Sequence, residues 1–157
     1  MYHLGFPAKY RRSVIFADVD EVLKEICLEI GTDVNHVHFV GRKSLGELRH
    51  YYQSCYMCIF PAHGIMETFG RTWVEAFAHG KPVISTDTDN LKYLVRDGVN
   101  GIVILPDVAD IAKGIRRALS LSKSAYVEMS LRARETALPY KQSIIVGSLL
   151  DSLEEII

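Results

Sequence analysis

Two acids bracket the start of a helical pattern in the stretch ETFGRTWVEAFAHGKPVIS, which begins at Glu67. Glu67 lies in the loop before the pattern, and Glu75 stands eight positions on, in a flank that is otherwise largely apolar. The loop PAHGIMETFG follows an apolar run, MCIFPA, so it joins the carboxyl end of an expected strand to a helix start near Phe69. Helix starts expose unpaired N–H groups and carry partial positive charge, which suits a phosphate. Gly70, lacking a Cβ, lets a ligand come close to the backbone there. Glu75 is about five residues into the helix, roughly 7 Å along its axis. That is about the span from a diphosphate to the ribose of the same nucleotide, and a carboxylate accepts two bonds from a vicinal diol. Glu67 would then face whatever is attached beyond the phosphates, and a sugar ring fits that position.

A plainer reading competes. Arg71 and Glu75 are four apart, so they can form an exposed ion pair on an ordinary helix. Phe69, Trp73, Ala76 and Phe77 have helical spacing and read as core without any ligand. Spacing alone leaves both readings open.

Other residues with chemistry in them are weaker candidates. Cys55 and Cys58 form a CxxC, with His50 and His63 placed symmetrically outside it. Structural zinc sites usually join two such clusters or end in a close His pair. Cys58 also sits inside MCIFP, so two buried thiols behaving as soft apolar residues is the simpler reading. Asp18-Val19-Asp20 and Asp87-Thr88-Asp89 both match DxD, a pattern whose hard oxygen ligands suit Mn²⁺. The first reads better as a helix cap region, and the second ends an expected strand. No metal or cofactor is expected.

The elements that must position these residues alternate. SVIFAD (13–18), HVHFVG (36–41), MCIFPA (57–62), PVISTD (82–87) and GIVIL (101–105) read as strands. Between them, helical patterns cover 20–31, closed by Gly31, and 44–55, opened by a Ser44/Glu47 capping box. A third runs from Phe69 to Gly80, LKYLVRDG reads as a helical turn, and the hairpin-prone DGVNG leads into GIVIL. Patterns at 107–120, 123–137 and 141–156 follow, while residues 1–12 read as an irregular lead-in. Alternation with nearly continuous apolar strands is the mark of a parallel sheet covered on both faces. The expected fold is therefore α/β, doubly wound and Rossmann-like, with about five strands and one domain over 13–157. Ligands of such sheets bind at the carboxyl ends of the strands, which puts the loops after Gly41, Pro61 and Ser85 on one rim.

Composition narrows the classes. A chain of 157 residues holds one sizeable core. A formal net charge of −1 gives no electrostatic case for nucleic acid or an anionic membrane surface. No apolar run approaches the roughly 20 residues of a spanning helix and no signal peptide is visible. A cytoplasmic protein is expected, the full enzyme at most peripheral at a membrane.

Taken together, Glu67-x-Phe69-Gly70 followed by Glu75-Ala76-x-Ala78-x-Gly80-x-Pro82-Val83-Ile84 resembles the E-x7-E signature of the retaining, GT-B-fold glycosyltransferases of the group 1 type. HVHFVGRKSLGELRHYYQSCYMCIFPA looks like that family's strand–loop–helix–strand lead-in, and RDGVNGIVILPDVADIAKGIRRAL like its continuation. The resemblance implies that Glu75 binds the ribose hydroxyls of a UDP- or GDP-hexose. It implies that Glu67 is a catalytic residue that contacts the donor sugar, and that Thr68, Phe69, Gly70 and Arg71 belong with it to the donor-binding set. The Phe69 and Gly70 amides would meet the sugar or the diphosphate. Gly41, Arg42 and Lys43 would border the base. No metal is implied, since preorganised dipoles and cations stabilise the leaving diphosphate. Two departures stand out: no basic GR…KG loop precedes Ser13, and Asp89-Asn90-Leu91-Lys92-Tyr93 occupies the place of an acidic GG-x-x-E stretch.

Such enzymes carry the acceptor site and a catalytic histidine in an N-terminal half, so this chain reads as a donor-binding domain. Its expected partners are the nucleotide sugar and an acceptor domain or partner subunit. The terminal stripe of Ile145, Leu149, Leu153 and Ile156 fits either the domain's own sheet or a surface outside it, including a second copy in a homodimer. Two alternatives remain: a non-catalytic nucleotide-binding or partner-binding subunit of a split glycosyltransferase, and a nucleotide-sugar epimerase lobe.

Overall fold

A computed structural model describes residues 4–5, 43–60, 71–87, 93–141, 143 and 145. Within them, four strands form one parallel sheet in chain order: β1 (Leu4–Gly5), β2 (Met57–Phe60), β3 (Val83–Thr86) and β4 (Gly101–Ile104). The helices are α1 (Leu45–Ser54), α2 (Arg71–Ala78), α3 (Val108–Leu119) and α4 (Lys123–Ala137), the last running into a 3₁₀ turn at Leu138–Tyr140. This is the α/β parallel architecture that the strand–helix alternation indicates. One difference falls at the start of the chain. Residues 1–12 read as irregular, yet Leu4 and Gly5 pair in parallel with Met57 and Cys58. Two residues are too short to show a period of two, which is why no pattern marks them. The strands expected at 13–18 and 36–41 and the helix at 20–31 lie outside the described residues.

Every residue of β2 and β3 is buried, because helices cover both faces of the sheet and neither side chain row reaches water. The rows separate by alternation. Cys58, Phe60 and Val83 share one core with Tyr52 of α1, Trp73, Ala76 and Phe77 of α2, and Ala133 and Ala137 of α4. Met57, Ile59, Ile84, Ile102 and Ile104 form the other with Ile111, Ile115 and Ala118 of α3. Helix α3 lies close on β4 because of Gly114, where a Cβ would come within 2.6 Å of Ile104 Cγ2.

Local signals explain the element ends. The Ser44/Glu47 capping box is present, Glu47 N–H donating to Ser44 Oγ and Ser44 N–H to Glu47 Oε2. Helix α2 closes in a Schellman motif: Gly80 N–H donates to Phe77 O and Lys81 N–H to Ala76 O. That motif needs a left-handed residue, supplied by Gly80 at φ +68°. The tight turn sends the chain through Pro82 straight into β3. The DGVNG stretch forms a turn rather than an antiparallel hairpin: its Asp97–Gly101 bridge is parallel, and Gly101 goes on to pair with Val83. Ile145 is exposed, and the rest of the terminal stripe lies outside the described residues.

Candidate functional site

Register places the carboxyl ends of β2 and β3 side by side, with Phe60 opposite Ser85. Helix α2 crosses above that edge through its tryptophan. The Trp73 ring packs on Phe60 with centroids 4.6 Å apart, and its indole N–H donates to Ser85 Oγ at 2.8 Å. The buried Ser85 hydroxyl is thereby satisfied and in turn donates to Thr86 O. Trp73, Ala76 and Phe77 bury one stripe of α2, which fixes the helix's rotation and leaves Glu75 half-buried on its flank.

Glu75 points to α1. The Tyr52 hydroxyl donates to Glu75 Oε2 across 3.3 Å, although the two residues are 23 apart in sequence. Tyr52 itself is only 4% exposed. Its ring stacks on His79 with centroids 5.4 Å apart and planes 26° from parallel. His79 Nδ1 lies 2.9 Å from the Glu75 carbonyl, and a carbonyl can only accept, so that nitrogen carries the hydrogen. Tyr52, Glu75 and His79 form one connected group at the junction of α1 and α2. Sequence reasoning missed Tyr52 and His79 as site residues. The spacing of Leu48, Tyr52 and Cys55 marks a core-facing stripe of α1, but nothing in it names the phenol's partner.

The other expected site residues divide. Arg71 is exposed at the first position of α2, one turn before Glu75. Lys43 precedes the Ser44 cap and pairs with Glu47 at 3.7 Å. Tyr52 stands eight positions after the Ser44 cap, about 12 Å along α1, so Lys43 and the Tyr52–Glu75 contact lie toward opposite ends of that helix. Gly41, Arg42, Glu67, Thr68, Phe69 and Gly70 lie outside the described residues. So do Asp18-Val19-Asp20 and Asp89. Asp87 is exposed just past the end of β3.

The CxxC resolves as two buried free thiols, with Cys55 Sγ 3.6 Å from Cys58 Sγ. Their mutual hydrogen bond holds the Cys55 thiol below the ordinary range, and together with burial pushes Cys58 well above it. Both belong to the core beneath α1 and α2. Among the described residues no three His, Cys, Asp or Glu side chains gather as a metal site would require. No described helix is long and apolar enough to cross a membrane.

Burial, with the Glu75 charge second, pushes the Tyr52 phenol far above its ordinary range. Burial likewise lifts Tyr126, whose hydroxyl donates to Tyr56 O at 2.7 Å, up to about 12. In the unfolded chain both phenols ionise near about 10. Between that pH and the folded value the unfolded chain has lost protons that the folded chain keeps, so stability falls as pH rises. The melting temperature should therefore decline above about pH 10, and Tyr126→Phe should flatten the decline between about pH 10 and 12. A slope identical in the two proteins would count against this account.

The sequence matches a known family. The family model for glycosyl transferases of group 1 covers residues 12–136. The chain belongs to the group 1 glycosyltransferases. Among members of that family, an uncharacterized glycosyltransferase of Methanocaldococcus jannaschii is 33% identical over 105 residues, which are 66% of this chain and 26% of the relative. The D-inositol 3-phosphate glycosyltransferase of Nocardia farcinica is 28% identical over 133 residues, 84% of this chain and 29% of that protein. The chain thus spans less than a third of the length of these relatives. Solved glycosyltransferases share its fold. One from Rickettsia africae superposes with a TM-score of 0.75 at 22% identity, over 99% of this chain and 40% of its own. Anabaena HepE, solved in complex with UDP and glucose, superposes with a TM-score of 0.64 at 22% identity, over 90% of this chain and 38% of its own. The group 1 chain is accordingly one Rossmann-like lobe of the GT-B kind.

Proposed function

We propose that this chain is the donor-binding lobe of a group 1 glycosyltransferase, holding a UDP- or GDP-hexose whose sugar is transferred with retention to an acceptor bound by another lobe or subunit. The observation that carries this reading is Glu75. Its carboxylate stands one turn into a helix that begins at the carboxyl edge of a parallel sheet, where α/β folds bind ligands. Tyr52 donates to one of its oxygens, and a carboxylate is able to accept from both hydroxyls of a ribose diol. A solved neighbour that holds UDP and glucose is consistent with it.

In this reading Glu75 grips the ribose, and the amino end of α2 faces the diphosphate, Arg71 adding a cation there. Glu67, before that helix, contacts the sugar, with Thr68, Phe69 and Gly70 beside it. Gly41, Arg42 and Lys43 border the base. During transfer the bond between the anomeric carbon and the β-phosphate oxygen breaks, and its electron pair leaves with the diphosphate. Helix dipole and cation lower the energy of that developing charge. The acceptor hydroxyl then bonds to the same face of the anomeric carbon and passes its proton to the departing phosphate oxygen, and no metal enters.

The test is a thermal melt of the full chain with UDP, GDP, ADP and no nucleotide, each with and without EDTA. A ligand that binds only the folded state raises the melting temperature by mass action. UDP or GDP at millimolar concentration should raise it, ADP less, and EDTA should change nothing. A curve indifferent to both UDP and GDP would overturn the reading, and a rise abolished by EDTA would replace it with a metal-dependent one.

A further inference from the structure

We infer that Cys55 and Cys58 are a site of reversible oxidation: hydrogen peroxide reacts first at Cys55, Cys58 resolves the product, and the disulfide that forms staples the end of α1 to β2. The inference stands on the thiol pair alone and does not rest on the donor-site reading.

Two cysteines three apart can bond only where the backbone aims their side chains at each other. Cys55 caps α1 in an extended conformation, φ −71° and ψ 155°. Cys58 lies on β2, held in register by its pairing with Val83. The bend between helix and strand brings the two sulfurs to 3.6 Å. A disulfide holds its sulfurs about 2.05 Å apart, so the pair has about 1.5 Å left to close.

The contact has a direction. Cys55 Sγ lies 3.5 Å from Tyr52 O, and a carbonyl can only accept, so the Cys55 proton points there. The hydrogen between the sulfurs is therefore that of Cys58, donating to Cys55 Sγ. That bond, with the Lys81 charge adding to it, holds the Cys55 thiol below its ordinary range against the opposing effect of burial. The same bond, together with burial, pushes Cys58 well above. Since the thiolate is the nucleophile, Cys55 attacks and Cys58 follows. Exposure agrees with this order: Cys55 keeps 5% of its surface open and Cys58 1%, so the oxidant must be small and meets Cys55 first.

The Cys55 thiolate attacks one oxygen of the peroxide and the O–O bond breaks. Its electron pair leaves with the other oxygen as hydroxide, which takes up the proton that Cys55 released and becomes water. Cys55 is now a sulfenic acid. The Cys58 sulfur then attacks the Cys55 sulfur, the S–O bond breaks, and the hydroxyl departs with the Cys58 proton as a second water. Two thiols and one peroxide give one disulfide and two waters, two electrons passing from sulfur to oxygen.

The experiment treats the folded, full chain with hydrogen peroxide, then denatures it, alkylates it with N-ethylmaleimide and digests it with trypsin. Residues 50–71 emerge as one peptide that holds both cysteines and not Cys27. This peptide should take up no maleimide after peroxide, and two once dithiothreitol has been applied before alkylation. The treated chain should also melt about 5 °C above the same sample after dithiothreitol, since closing even a short loop restricts the unfolded chain. In Cys58→Ser, dimedone should trap a sulfenic acid at Cys55, and in Cys55→Ser the Cys58 thiol should remain open to maleimide. A folded chain whose peptide still takes two maleimides at a peroxide dose that oxidises the unfolded chain overturns the inference and leaves the pair as core packing. Loss of the thiols that dithiothreitol cannot reverse, or a melting temperature that it does not move, overturns it as well. So does a Cys58 that oxidises in Cys55→Ser as readily as Cys55 does in Cys58→Ser. Should either variant not fold, the maleimide count of the unaltered chain decides.

Discussion

Glu75→Gln is expected to remove almost all of the rise in melting temperature that a nucleoside diphosphate should produce. The substitution keeps the length and shape of the side chain and keeps an oxygen to accept from Tyr52, so the folded state survives it. What it removes is the negative charge and the capacity to accept from both hydroxyls of a diol. Hydrogen bonds to a charged group contribute about 1.5–3 kcal/mol each, so the two weakened bonds cost about 3 kcal/mol, or about 100-fold in affinity. At a nucleotide concentration of about 100 times the dissociation constant, mass action stabilises the unaltered chain by about 2.7 kcal/mol. For a chain of this length that is a rise of about 8 °C. After a 100-fold loss the same concentration yields about 0.4 kcal/mol, about 1 °C. A scanning melt separates these outcomes easily. An undiminished rise in Glu75→Gln would place the nucleotide elsewhere.

The largest stability effect is expected far from any ligand, at Asn100→Ala. Asn100 is wholly buried and satisfies both ends of its amide. Nδ2 donates to Leu94 O and to Thr136 Oγ1, each at 2.9 Å, and Oδ1 accepts from Arg96 N–H at 2.7 Å. The side chain thereby clips the 94–100 loop to α4 just before β4, where Gly98 already turns the backbone through φ +71°. Alanine leaves a void and orphans Leu94 O and Arg96 N–H. Thr136 is less affected, because its hydroxyl also donates to Arg132 O. Two unpaired buried groups and a small cavity cost about 3–4 kcal/mol. In a chain of this size the melting temperature should fall by about 10 °C. Thr136→Val, which removes one partner and keeps the volume, should cost about 1 kcal/mol, or about 3 °C. Equal losses in the two variants would show that the bonds to Leu94 O and Arg96 N–H contribute nothing beyond the contact with Thr136.

How far the fold and the site were legible can be judged element by element. Helices α3 and α4 and the cap of α1 follow from apolar periodicity and from Ser44 and Glu47, signals whose partners lie within a few residues. Strands β2, β3 and β4 follow from apolar runs long enough to be buried on both sides. β1 does not, since Leu4 and Gly5 carry no pattern and are strand only because Met57 and Cys58 offer them hydrogen-bonding partners. The DGVNG turn was legible as a turn, but whether its arms pair antiparallel or parallel depends on Val83, a neighbour supplied by another element.

The amino-acid order by itself determined the α/β class and the family and singled out Glu75 as the acid to test, because periodicity, caps and the E-x7-E spacing are local and survive without any partner. Only the tertiary structure decided that Tyr52 and His79 stand against that acid, that Trp73 locks α2 through Ser85, and that Cys55 and Cys58 are core thiols in contact. Those pairings join residues up to 23 positions apart. A contact between two helices depends on how each is rotated about its own axis, and that rotation is set by the apolar stripes packing on the sheet together.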